Sequence, residues 1–133
     1  MKYITKSFIL FLVIIVNFSA CNKDFSGSAL SQQQDEEELT NLLSEIEELV
    51  KGEVCFDSQS WAYTPIGSKP CGGPWSYLAY PSTIDTTLFL EKVNQLRIIE
   101  LAYNTKWNIR SDCSSAIIPA GINCVNETAV LVY

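Results

Sequence analysis

The chain of 133 residues contains no histidine. That removes Ser-His-Asp and Cys-His catalysis at once, because both need an imidazole to take the nucleophile's proton. It also removes the commonest nitrogen ligand for zinc. No Cys-x-x-Cys pair is present, so the usual zinc knuckle is missing as well. There is no Gly-x-Gly-x-x-Gly or phosphate loop; Gly72-Gly73 is a turn pair without that spacing. Nor is there an Asp-x-Asp-x-Asp-Gly calcium loop: Asp57, Asp85 and Asp112 stand singly near turns and read as caps. No cofactor is expected. Basic charge is scarce too, with 9 Lys and Arg against 15 Asp and Glu.

What is present begins with an export signal. Lys2 and Lys6 form a positive n-region, and Phe8 to Val16 is an unbroken apolar run. Nine residues suit the h-region of a signal peptide and are too few to span a bilayer as a helix. Phe18-Ser19-Ala20-Cys21 follows, a lipobox-like pattern in which Phe18 replaces the usual Leu. The expectation is a lipoprotein signal over 1–20, cleaved before Cys21, with lipid on that cysteine holding the protein at a membrane. An ordinary secretory signal cut nearby is the other reading. The expected address is the bacterial cell envelope, at the outer membrane with a periplasmic or surface face.

Removal of Lys2 and Lys6 leaves seven basic and fifteen acidic side chains, a net charge of −8. Such a surface repels polyanions, so nucleic acid is not an expected partner. An envelope protein is.

Four cysteines remain after Cys21: Cys55, Cys71, Cys113 and Cys124. An even number in an oxidising compartment reads as two disulfides. Three connectivities are possible. Sequence neighbours meet most easily, which favours Cys55–Cys71 and Cys113–Cys124.

Residues 22–34 are polar and small and read as a flexible tether belonging to segment 21–34. A single domain then covers 35–133. Asp35 to Glu38 opens a helix whose apolar positions Leu39, Leu42, Leu43, Ile46, Leu49 and Val50 fall on one stripe. Gly52 stops it. Val54-Cys55-Phe56, Trp61 to Thr64 and Trp75 to Tyr80 are β-prone. Ser82 is the expected N-cap of a long helix, with Asp85 at N3, running to about Thr105. Ile117-Ile118 and Gly121 to Val125 are β-prone, and Asn126-Glu127 turns into a last strand, Ala129 to Tyr133. The fold class is α+β: two helices packed on a small antiparallel sheet of about four strands, stapled by two disulfides. A domain this short has little core, which makes the staples a natural supplement.

Cys71-Gly-Gly-Pro-Trp-Ser-Tyr-Leu-Ala-Tyr80, followed by a long helix and Ser111-Asp112-Cys113, resembles a group of small lipoproteins and secreted proteins, chiefly from Bacteroidota. The likeness extends to a cysteine at Cys55, a tryptophan at Trp61 and a closing cysteine hairpin, spanning roughly 54–133. Lys23-Asp24 is similar to the charged surface-export signals of such lipoproteins. The resemblance implies an envelope origin and a disulfide framework. It implies no activity.

One segment looks built for display. Gly67 to Trp75 holds two prolines, three glycines, a cysteine and an aromatic, and Lys69, Gly72, Gly73, Pro74 and Trp75 are the candidate binding residues. A stapled loop binds at low entropy cost. The expected function is therefore a non-catalytic, lipid-anchored binding module, in one form an inhibitor of a secreted or periplasmic enzyme. The alternative is an accessory lipoprotein that joins a larger assembly through helix 35–51. An enzyme using paired carboxylates is a third reading, but the acids cluster on the first helix, where a solvated face accounts for them.

Overall fold

The computed structural model describes residues 24–133. The expected signal peptide, 1–20, and Cys21 lie outside them. The chain divides into two compact units at Gln32–Gln33, and everything below concerns the second, Gln33–Tyr133, apart from the start of the first helix.

Helix α1 spans Asp24–Val50, eleven residues earlier than expected. The tether expected over 22–34 is thus helical from Asp24 on. Its Ala29-Leu30 and Gln32–Gln34 are good helix formers, and no proline interrupts them. Once the downstream turns exist, each added residue gains a bond without a new nucleation cost. The apolar stripe does what its period predicts: Leu42 and Ile46 are buried in the core, with Leu39, Leu49 and Val50 packed beside them. Gly52, at φ 78°, ends this region in the left-handed conformation.

Helix α2 spans Thr86–Lys106 and buries Phe89, Val93 and Leu96 against the same cluster. Asp85 is itself the N-cap, accepting from the Leu88 N–H at 3.0 Å, so the expected cap at Ser82 moves three residues on. The helices run antiparallel. Lys92 pairs with Glu45 and Lys106 with Asp35, both at 2.6 Å, and the Tyr103 hydroxyl donates to Glu36.

Strands β1 (Trp61–Ile66) and β2 (Ser76–Pro81) form one antiparallel hairpin, and β3 (Gly121–Val125) and β4 (Thr128–Val132) another. Among the described residues the α+β class with four strands and two helices holds, but the strands lie in two separate two-stranded sheets rather than one. Ile66, Leu78 and Tyr80 turn toward the helices, with the Tyr80 and Phe89 rings 4.7 Å apart. On the opposite face, Tyr63 meets Tyr77 edge-on and donates to the Pro119 carbonyl. The turn Asn126-Glu127 has both residues at positive φ, 49° and 63°, which is the type I′ geometry that a two-residue hairpin favours. Val54–Phe56 and Ile117–Ile118 are not strands. Phe56 and the two isoleucines are exposed, without the half-buried pleat that makes β-branched residues favourable.

The disulfides join other partners than sequence proximity suggests. Cys55 bonds Cys124, with Cα atoms 5.3 Å apart, and Cys71 bonds Cys113, at 5.5 Å. Proximity weighs only loop closure, and doubling a loop changes that by about 0.6 kcal/mol. Topology outweighs it. The Cys55 N–H donates to the Glu127 carbonyl at 2.8 Å, bringing the end of α1 to the tip of the second hairpin.

Candidate functional site

The loop between β1 and β2 carries the candidate residues. It begins at Gly67, whose φ of 77° favours glycine. A Cβ there would lie 2.6 Å from Trp75 Cδ1 and 2.9 Å from Glu100 Oε2. The close approach follows from Glu100, on α2. Its Oε2 accepts the Ser68 N–H at 2.6 Å, and its Oε1 accepts the Trp75 indole N–H at 2.7 Å. One carboxylate therefore closes the loop's mouth. One turn later on α2, buried Asn104 donates to the Ser68 carbonyl at 2.7 Å.

The loop's interior is a turn over Lys69-Pro70-Cys71-Gly72, with the Gly72 N–H on the Lys69 carbonyl at 2.9 Å and the Lys69 N–H on the Gly73 carbonyl at 2.8 Å. Pro70 sets the φ of the turn's second position. Gly72 and Gly73 both have positive φ.

Lys69 is not on display. It is only 6% exposed, and its Nζ donates to the Ser114 carbonyl at 2.7 Å and the Ser114 hydroxyl at 3.2 Å, with Asp112 Oδ1 at 3.5 Å. The ammonium also sits 5.2 Å from the Trp75 ring centroid. Lys69 positions the loop from beneath. Cys71–Cys113 ties the tip to the same connection after α2. What reaches solvent is Cys71, Gly72, Gly73 and Trp75, the last 41% exposed, while Pro74 is half-buried. Beside Trp75 lies a groove of about 360 Å³ floored by Leu39, Leu78 and Leu96, with Glu47 and Glu100 among its walls.

Sequence reasoning found the loop and missed its anchors. Glu100 was the readable signal: a lone acid inside Ile98-Ile99-Glu100-Leu101 has to find a donor if it is to leave water. Among the described residues no group of three His, Cys, Asp or Glu side chains could hold a metal ion.

Two carboxyls in these contacts are held below the ordinary aspartate value. For Asp112 the Ser114 hydroxyl is the main cause, followed by the charge of Lys69. For Asp35 it is the hydrogen bond from Lys106, then that from the Trp107 indole. A depressed folded-state value adds stability above the unfolded-state pKa and loses it as pH falls through the folded one. The melting temperature is therefore expected to drop as the pH goes below about 4. D112N and D35N should each flatten that acid limb; an unchanged limb in both would mean these contacts add nothing to stability.

No family model, curated protein or solved structure matches the chain. The loop's own geometry has to carry the functional argument.

Proposed function

We propose that the chain is a lipid-anchored envelope protein, cut before Cys21, that binds a protein partner through the Gly67–Trp75 loop without catalysis. Inhibition of a secreted or periplasmic enzyme is the form of binding such a loop suits. We group it with the small Bacteroidota lipoproteins whose Cys-Gly-Gly-Pro-Trp and Ser-Asp-Cys motifs it resembles.

One observation carries the reading. The loop is held by Glu100, by Lys69 and by Cys71–Cys113, yet presents Gly72, Gly73 and Trp75 to solvent. A surface fixed before binding gives up little entropy on contact. An aromatic beside an apolar groove is the kind of anchor that dominates interface energetics. The reading through helix 35–51 has less support, because Leu42 and Ile46 are already buried within the domain.

The test is capture of partners from envelope extract, compared across variants. G72D adds a charge where nothing lies within 4 Å, and W75A removes the exposed ring. Each should weaken capture about tenfold or more while circular dichroism stays native. If W75A only unfolds the domain and G72D captures as well as the parent, the loop is a structural turn. Capture that survives both but is lost with E38K, on the helix outside the groove beside Trp75, would favour the helix instead.

A further inference from the structure

A second groove, of about 840 Å³, lies along β2 and β4. It shares only Tyr77 and Leu78 with the groove beside Trp75. Three consecutive residues of β2, Tyr77 to Ala79, and four of β4, Thr128 to Leu131, line it. Side chains alternate between faces, so an unbroken run lines a groove only when the groove follows a strand's edge.

The hydrogen-bond phase says what those edges offer. The Ser82 N–H donates to the Ser60 carbonyl, and the register pairs Ala62 with Tyr80 and Thr64 with Leu78. Mutually bonded pairs recur every second residue. Ser76, Leu78 and Tyr80 therefore bond β1, while Tyr77 and Ala79 turn their N–H and C=O to the free edge. In the second hairpin the type I′ turn makes Val125–Thr128 a bonded pair. Ala129 and Leu131 then face outward. All four outward-facing residues line the groove.

The other edge of the first hairpin is blunted. Pro65 of β1 falls at an outward-facing position and has no N–H to give. On β2 the outward positions within the groove, Tyr77 and Ala79, carry neither proline nor charge; Pro81, the next outward position, blunts the edge only beyond them.

We propose that this groove binds an extended peptide segment of a partner protein, which adds as a strand along β2 with β4 as the opposite wall. Main-chain bonds to Tyr77 and Ala79 supply affinity, as in other strand-addition complexes. The partner segment alternates apolar and basic residues. Val54, Val130 and Tyr133 leave apolar surface exposed at the groove; among the described residues Glu53 and Glu127 are its only charged lining residues, and neither Lys nor Arg lines it. The same acidic rim disfavours a second copy of this chain, which would set like charges together.

The probe is acetyl-Val-Lys-Val-Arg-Val amide, added to the isotopically labelled full chain with both disulfides intact. Saturable shifts and slowed exchange at the Tyr77 and Ala79 amides are expected. N-methylation at the probe's edge-facing amides should weaken binding about tenfold, as loss of one or two main-chain bonds implies. The Val-Glu-Val-Glu-Val analogue should bind several-fold less tightly. A79P, which removes an outward N–H without touching a bond to β1, should weaken the parent probe as much as N-methylation does. Equal binding of the methylated probe overturns the proposal, as does no shift up to about 10 mM peptide. Concentration-dependent broadening of these amides without peptide would also overturn it, by making a second copy the occupant.

Discussion

Serine at both Cys55 and Cys124 is expected to lower the unfolding free energy by about 4 kcal/mol, the larger of the two disulfide effects. These cysteines stand 69 residues apart in sequence, and the pair Cys71–Cys113 stands 42 apart, nested inside. The chain-entropy model gives about 4.4 kcal/mol for the outer loop alone and about 4.0 for the inner. Nesting reduces both values alike, because either bridge shortens the path left to the other to some thirty residues, worth about 3.6 kcal/mol. Burial adds back part of the difference: Cys55 is only 2% exposed, and a serine hydroxyl there would need a partner. A domain of this size has about 5–15 kcal/mol in total, so the double variant should be marginal at 37 °C. Urea unfolding followed by tryptophan fluorescence gives the number. Peptide mapping under non-reducing conditions gives the pairing, and a fragment linking Cys55 to Cys71 would sink the nested arrangement.

That pairing marks where the amino-acid sequence stops being legible. Periodicity located α1, cap signals located α2 and turn chemistry located the last hairpin: Leu42 and Ile46 repeat at helical spacing, Asp85 stands just ahead of Thr86, and Asn126-Glu127 makes the turn. Each of those signals is local. The bridges, the split into two sheets and the burial of Lys69 depend on which segments meet across the fold. Lys69 is the clearest instance. In a Pro-Gly-rich stretch a lysine reads as solvated, but here its long stem passes under Trp75 to reach Ser114, 45 residues further along. The two-sheet arrangement had a partial clue in Pro65, which denies β1 a donor on its outer edge. Nothing local said that Cys55 would reach the second hairpin, since the decisive bond, from its own N–H to the Glu127 carbonyl, joins residues 72 positions apart.

Gly67→Ala is the sharpest test of the loop itself, with an expected loss of about 3 kcal/mol. Two effects add. A non-glycine residue held at positive φ gives up about 1–2 kcal/mol. The new methyl would also sit 2.6 Å from Trp75 Cδ1 and 2.9 Å from Glu100 Oε2, too close for either to stay. Moving the ring breaks the bond between the Trp75 indole and Glu100, and a hydrogen bond to a charged group is worth about 1.5–3 kcal/mol. Gly72→Ala separates the two effects. Gly72 also has positive φ, at 92°, but nothing lies within 4 Å of its missing Cβ. That variant should lose only the backbone term, about 1–2 kcal/mol, and keep the Trp75 indole proton in its hydrogen-bonded position by NMR. In Gly67→Ala the same proton should shift toward its solvent-exposed value, and partner capture should fall with it. Equal losses in the two variants would show that Glu100 and Trp75 do not clamp the loop mouth; Trp75 would then be an ordinary exposed side chain, with no fixed surface for a partner to meet.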